Sequence, residues 1–285
     1  MEKIKIFLRM IKFEHSIFAL PFAFTGAIIA ANGFPSIERI FWIVVAMVGA
    51  RSGAMGLNRL IDADIDKENP RTANREIPAG KIGKKEAVLY IIISFLLYEI
   101  AAYKLNWLSF ILSPIPIAIF FVYSYTKRFT ALCHIILGMA LGLAPIGAYV
   151  AILGRVDLPI VLLGIGVLFW VAGFDVIYAI QDIDFDRDKG LFSIPRFLGV
   201  EGSLWVSRIF HIIAFILFLL VKFFQPMGVF YLIGVLGSGL FMIYEHYILK
   251  KSNLTKLSMA FFNINAYISI VVFVFTALDI YIRGC

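Results

Sequence analysis

The 285 residues carry 61% hydrophobic and only 16% charged side chains, with a mean hydropathy of +0.91, which excludes an ordinary water-soluble domain and indicates a polytopic membrane protein. The formal net charge of +7 does not argue for nucleic acid, because in a membrane chain the distribution of Lys and Arg between the two sides matters more than their sum. No long polar or low-complexity stretch offers a linker, so a single membrane domain over residues 1–285 is expected.

Apolar runs fall at about 14–31, 40–61, 87–104, 107–126, 131–152, 158–181, 203–224, 227–249 and 257–281, which predicts an all-α protein of nine transmembrane helices with longer connections at one end. The first run, from about Ile17 to Ala31, reads as a span and not as a cleavable signal, since more membrane follows and no cleavage site stands out. One side of this scheme collects Lys3, Lys5, Arg9 and Lys12, the bases from Lys67 to Lys85, Lys127 and Arg128, Arg187, Lys189 and Arg196, and Lys250, Lys251 and Lys256; the other collects Arg39, Lys104, Arg155, Lys222 and Arg283. By the positive-inside rule the N-terminus is cytoplasmic and Cys285 lies outside. Cys133 and Cys285 are too few and too far apart to suggest a disulfide framework or a metal knuckle.

The second run leads into NRLIDADIDKENPRTANREIPAG, residues 58–80, in which Asn58, Asp62 and Asp66 are spaced four apart and so line one helical face as a ladder of oxygen ligands. After the sixth run, GFDVIYAIQDIDFDRDKG places Asp175, Tyr178, Asp182 and Asp186 on one face in the same way, and the correspondence hints at a pseudo-repeat of helices 2 and 6. Two facing acid ladders repel unless something positive lies between them. Mg²⁺ joins one or two carboxylates to substrate phosphates, so the pattern predicts a metal-bridged diphosphate.

Arg71 and Arg75, just past the first ladder, and Lys127 and Arg128 in VYSYTKRF lie at the level where phosphate oxygens need partners. Arg51 is about 16 Å deeper than Asp62 on the same helix, at 1.5 Å per residue. A charge at that depth needs a partner in the bundle interior, either a substrate anion or a structural acid such as Asp175. Trp170, Phe174 and Tyr178 form an aromatic stripe leading into the second ladder. Gly49, Gly53 and Gly56, with Gly138 and Gly142, give small-residue faces for close helix approach. His15, His134, His211 and His246 show no paired spacing that suggests metal ligation and are expected to be structural.

The Asn58, Asp62, Asp66 ladder followed by RTANREIPAG, YSYTKRFT at 123–130, and the acids from Asp175 to Asp186 together resemble the UbiA superfamily of intramembrane aromatic prenyltransferases over essentially the whole chain. Within it the chain looks most like the 4-hydroxybenzoate polyprenyltransferases, including a bacterial subgroup with a KFEHSIFALPFAF-like start. The resemblance implies nine helices around a central cavity, Mg²⁺, a polyprenyl diphosphate donor and an aromatic acceptor. It implies metal binding by Asp62, Asp66, Asp182 and Asp186 with Asn58 beside them, diphosphate contacts from Arg71, Lys127, Tyr123 and Ser124, and an acceptor carboxylate at Arg51. Asp62, Asp182 and Asp175 are the candidate catalytic acids, with Asp182 or Asp175 assisting deprotonation of the phenol or ring. The expected setting is the plasma membrane of a bacterium or archaeon, with quinone biosynthesis as the role. The segment FTALCH departs from ubiquinone-pathway enzymes, which have Pro and Gln near the 133 and 134 positions, and this admits a dihydroxynaphthoate acceptor as the alternative. An ion-coupled transporter also keeps intramembrane acids, but its sites lie near the midplane, not beside Arg-rich loops at helix ends. A phospholipid alcohol phosphotransferase concentrates its acids in one motif.

Overall fold

The structure, a computed structural model, describes residues 2–11, 19–249, 257 and 260–284. The readings placed on Lys12, on His15, on most of the KFEHSIFALPFAF start, on Lys250, Lys251 and Lys256, and on Cys285 lie outside these residues. The described helices are α1 (Glu2–Met10), α2 (Ala19–Ala31), α3 (Ile37–Ile61), α4 (Ala63–Glu68), α5 (Lys84–Leu105), α6 (Trp107–Leu112), α7 (Pro114–Thr126), α8 (Cys133–Leu153), α9 (Leu158–Ala179), α10 (Ile183–Asp188), α11 (Ile194–Phe224), α12 (Val229–Ile248) and α13 (Asn265–Gly284). Among the described residues, 8 helical segments are long and apolar enough to cross a membrane, and the shorter apolar helix Leu20–Ala31 belongs to the first expected span. The fold is therefore all-α and membrane-integral, with helix boundaries close to those read from hydropathy.

Local chemistry accounts for the departures. The run 107–126 is broken between α6 and α7, where Pro114 has no N–H to continue the ladder and Ser113 donates its hydroxyl to Glu99 Oε2 at 2.6 Å. The connection expected over 182–202 is much shorter, because Ser193 caps α11 by accepting from Arg196 N and Pro195 occupies its first turn. That helix then breaks at Gly199, whose φ of 64° suits a residue without Cβ.

Helix α9 is the core of the bundle. Apart from Asp175 it is apolar on nearly every face, as a buried helix should be, and Leu163, Trp170, Val171, Ala172, Val176 and Ile177 are fully buried. It packs between α8 and α11, α3 packs on α5, α12 on α13, and α2 lies against α8 and α13. The glycines make the close approaches: a Cβ at Gly138 would stand 2.2 Å from Leu168 O, and one at Gly142 2.4 Å from Gly164 O, so α8 and α9 meet backbone to backbone. Gly49 does the same for α3 against the backbone of Ser94 and Tyr98 on α5, and Gly53 and Gly56 leave room for the side chains of Phe95 and Ile91. Leu89, Ile92, Leu96 and Ile100 of α5 and Trp205, Ile209, Ile212 and Ile216 of α11 stay exposed, as surfaces that face lipid should. His211 Nδ1 meets His246 Nε2 at 3.0 Å and His211 Nε2 meets the Trp170 carbonyl at 3.2 Å, a packing role that ties α11 and α12 to α9.

Gly138→Ala should force α8 and α9 apart and lower stability by about 1–3 kcal/mol, the range for overpacking. Gly147→Ala, on the same helix but with nothing within 4 Å of the added Cβ, should be neutral. Thermal unfolding of both variants in detergent checks the contrast.

Candidate active site

Both acid ladders sit where a membrane helix gives way to a short helix beyond it. Helix α3 ends at Ile61, Asp62 leaves helical geometry with φ −89° and ψ 4°, and α4 resumes at Ala63. Backbone hydrogen bonds run through the break, from Asp62 N to Asn58 O at 2.9 Å and from Asp66 N to Asp62 O at 2.7 Å, so the ladder keeps its register. The second ladder repeats the device: α9 ends at Ala179, a 3₁₀ turn covers Ile180–Asp182, Asp182 has φ −105° and ψ 7°, and α10 follows. The hint of equivalence between the second and sixth spans thus has a backbone counterpart.

The four carboxylates line one cavity of about 690 Å³ at this end of the bundle, and each has its own cation. Arg71 presents a fork to Asp182, with Nε 2.9 Å from Oδ1 and Nη2 2.6 Å from Oδ2. Arg75 Nη1 reaches both oxygens of Asp66, at 2.6 and 2.7 Å. Arg128 Nη2 lies 3.0 Å from Asp62 Oδ1, and Lys127 Nζ 3.4 Å from Asp186 Oδ2. Neutral donors complete the set. Asn58 Nδ2 donates to Asp62 Oδ2 at 2.8 Å, Asn69 Nδ2 to Asp182 Oδ1 at 3.1 Å, and Ser193 Oγ to Asp186 Oδ2 at 2.6 Å. Burial pushes the Asp62 carboxyl above its ordinary value, the nearby charge of Asp66 adds to this, and Arg128 offsets only part of it. Burial disfavours the charged form of Arg71 and of Lys127. Asp182 beside the first, and Asp186 with Asp182 beside the second, outweigh it and hold both bases above their ordinary values.

The remaining predicted residues are distributed by depth. Tyr123 and Arg51 line the polar cavity and also a second, apolar cavity of about 280 Å³ between α3, α5, α6, α7 and α8. Ser124 lines the polar cavity, but its hydroxyl donates to Phe120 O at 3.0 Å and its carbonyl accepts from Arg128 at 2.7 Å. Asp175, expected as a structural partner for Arg51, pairs with His134, whose Nδ1 is 2.6 Å from Oδ2. The aromatic stripe divides. Trp170 is core, donating from Nε1 to Asn265 Oδ1 at 2.9 Å, while Phe174 and Tyr178 line the polar cavity and the Arg71 guanidinium lies 5.4 Å over the Tyr178 ring.

Sequence reading missed Asn69, Ser193 and His134. Asn69 had a signal: its side chain accepts from Arg71 N at 2.9 Å, the local turn that an Asn before Pro favours. His134 reaches Asp175 from another helix, 41 residues away, and Ser193 reaches Asp186 from the cap of α11 after the chain has left α10, so a helical period reveals neither.

Among the described residues no group of three or more His, Cys, Asp or Glu side chains gathers as a ready-made metal cage. Carboxylates stand in pairs, Asp62 and Asp66 at the end of α3 and on α4, Asp182 and Asp186 at the end of α9 and on α10, and all four line the cavity. That donor set fits a hard cation that takes one or two carboxylates and completes its shell with phosphate oxygens and water, which is the habit of Mg²⁺.

An all-α membrane bundle with paired acids and bases over a polar cavity at one end, meeting an apolar cavity that runs between its helices, defines an intramembrane protein suited to an amphiphile with a polyanionic head. Residues 19–267 match the UbiA prenyltransferase family, and the chain belongs to that family: it is a membrane prenyltransferase. A 4-hydroxybenzoate octaprenyltransferase of Francisella tularensis subsp. tularensis is 25% identical over 259 residues, 91% of this chain and 89% of that one. The apo structure of a UbiA homologue from Aeropyrum pernix K1 is 32% identical and superposes with a TM-score of 0.80 over 95% of this chain and 98% of that one. A UbiA homologue from Archaeoglobus fulgidus, solved bound to DMAPP and Mg²⁺, shares the fold at 21% identity, with a TM-score of 0.67 over 93% of this chain and 98% of its own.

Arg71→Lys keeps the charge but loses the fork that meets Asp182. It should weaken binding of inorganic diphosphate in the presence of Mg²⁺ by about tenfold, the equivalent of one charge-assisted hydrogen bond, as read by titration calorimetry on the purified protein.

Proposed function

We propose that the protein transfers a polyprenyl group from a polyprenyl diphosphate to an aromatic acceptor, 4-hydroxybenzoate, as a step of quinone biosynthesis. It acts as one membrane domain over residues 1–285, with its N-terminus and the site end in the cytoplasm of a bacterium or archaeon. The observation that carries this reading is the junction of the two cavities: Arg51, Met55, Asn58, Tyr123, Leu137 and Leu141 line both. A molecule with a diphosphate head and a long hydrocarbon tail places its head among the ion pairs and its tail between the helices, with its reactive carbon at the junction. The name of the Francisella relative supports the acceptor, and the basic residues gathered at the site end support the orientation.

The four ion pairs explain how so many charges wait in a bundle. Each pair would part for a magnesium diphosphate, the carboxylates holding the metal and the bases the phosphate, so that each charge keeps an opposite partner. Asp62, Asp66, Asp182 and Asp186 would hold Mg²⁺, which when bound neutralises the diphosphate as a leaving group. Arg71 and Lys127 stabilise the charge that builds on the diphosphate oxygens as the allylic C–O bond breaks. Asn58, Tyr123 and Ser124 line the wall beside that head. The apolar cavity, lined there by Ala50, Ala54, Leu137 and Leu141, keeps water from the allylic cation. Arg51, about 16 Å below Asp62 on α3, binds the acceptor's carboxylate and turns a ring carbon toward the cation.

Purified protein supplied with labelled geranyl diphosphate and Mg²⁺ should prenylate 4-hydroxybenzoate, and should stop when the metal is chelated. Asp62→Ala and Asp182→Ala should each cost at least about a thousandfold, the scale of losing a whole electrostatic contact to the reacting group. Transfer to 1,4-dihydroxy-2-naphthoate alone would move the acceptor assignment, and Mg²⁺-dependent transfer to no phenol would refute the reading.

A further inference from the structure

Resting on the proposed transfer to a phenol, we infer that Asp175 is the base on the acceptor side and that His134, fully buried beside it in the cavity wall, is the positioning residue that holds it for that task. The two candidates for a base in the cavity are Asp182 and Asp175, and their partners separate them. Both oxygens of Asp182 are taken by Arg71, and Asn69 adds a third donor, which commits that carboxylate to the charged head. Among the described residues Asp175 takes a hydrogen bond on Oδ2 alone, from His134, so Oδ1 keeps its lone pairs for a ligand. Asp175 is part of the cavity wall and lies about 10 Å deeper than Asp182 along α9, at 1.5 Å per residue. Arg51 lies about 16 Å below Asp62, the counterpart of Asp182, on α3, so the lower cavity offers a carboxylate on one helix and, about 6 Å deeper, a cation on the other.

The geometry also assigns the histidine's tautomer. His134 is fully buried at the start of α8, and its Nε2 faces the backbone N–H of Ile194, 3.4 Å away in the first turn of α11. An N–H can only donate, so Nε2 is the bare nitrogen and the proton sits on Nδ1, aimed at Asp175 at 2.6 Å. The ring is held between a fixed helix terminus and the carboxylate, and it fixes which oxygen of Asp175 faces the acceptor.

The chemistry balances as follows. The allylic C–O bond breaks with its electron pair going to the diphosphate. The ring carbon ortho to the hydroxyl gives a π pair to the allylic carbon as Asp175 takes the hydroxyl proton, which leaves a neutral dienone. The dienone loses its ring hydrogen as a proton to the departing diphosphate, and the proton on Asp175 returns to the oxygen. One C–C bond replaces one C–O bond, one proton is released, and Asp175 ends as it began.

The test compares full-length wild type with His134→Asn, His134→Gln and Asp175→Asn, using geranyl diphosphate, Mg²⁺, and either 4-hydroxybenzoate or the more acidic 3-fluoro-4-hydroxybenzoate. An Asn amide can place an N–H where Nδ1 was and a Gln amide cannot, so His134→Asn should keep kcat within about threefold while His134→Gln loses tenfold or more. The KM for geranyl diphosphate should stay unchanged in both. The His134→Gln deficit should shrink severalfold on the fluorinated phenol, which needs less help to lose its proton, and a purely structural histidine would not produce that dependence. Equal activity of His134→Gln and wild type, equal losses in the Asn and Gln variants, or a deficit identical on both phenols would overturn the inference while leaving the proposed transfer standing. Asp175→Asn at wild-type rate would do the same. Wild type that transfers to neither phenol removes the proposed function and this inference together.

Discussion

The structure depends on giving four carboxylates partners at the edge of an apolar bundle. A bare carboxylate there is costly, and two pairs of them facing each other would drive the helices apart. The chain answers with one cation per acid, delivered from loops: Arg71 and Arg75 follow α4, and Lys127 and Arg128 follow α7. Arg71 matters most, because it leaves the first acid segment and closes on Asp182 of the second, with Asn69 beside it. The fork is a strut that sets how far apart the two ladders stand. Arg128 ties the same level together in the other direction, donating to the Ile61 and Ser124 carbonyls as well as meeting Asp62.

The helices beneath supply a rigid frame for that strut. Gly138 and Gly142 let α8 lie directly on α9, and Gly49 lets α3 lie directly on α5. Close packing there leaves the space between the pairs unfilled, and the apolar cavity occupies it, bounded by Ile43, Met47, Leu105 and Ala151 toward the far end. At that end Arg39 donates to the carbonyls of Leu105 and Ala151, and Asn106 to Val150 O, which staples the starts and ends of three membrane helices. The apolar and the polar compartment are consequences of one arrangement: small residues bring helices together in pairs, and charged loops join the pairs at the top.

What was legible in the sequence follows from the range over which each signal acts. The period of four through Asn58, Asp62 and Asp66 is local, and the ladder is there even though the helix breaks at Asp62, because the i to i−4 backbone bonds persist on both sides of the break. Hydropathy placed the spans, but punctuation refined them: Pro114 splits one, and Ser193 with Pro195 starts another nine residues before its apolar stretch. The match of each acid to its base was only partly legible. Arg71 and Lys127 were expected near phosphate, yet their partners lie 111 and 59 residues away. His134 was the clearest loss. Its partner is 41 residues distant and on another helix, so the spacing rules that exclude metal ligation by nearby histidines say nothing about it.

The two ladders are alike at the top and different below, and the difference bears on chemistry. Asp62 and Asp182 break their helices with nearly the same dihedrals, and each is followed by a helix of 6 residues that carries the next acid, Asp66 or Asp186. Deeper, the equivalence ends. Eleven residues before Asp62 stands Arg51, and at the matching place before Asp182 stands Val171; seven before Asp182 stands Asp175, and at the matching place before Asp62 stands Met55. All four line the polar cavity. A symmetric floor would hold a symmetric ion, whereas a cation on one wall and a carboxylate on the other would give the proposed acceptor, with its carboxylate and its hydroxyl, a single orientation. The upper half of the site, with its matched acids and bases, suits any diphosphate. The lower half, where the repeat breaks, is where the proposed transfer would tell one acceptor from another.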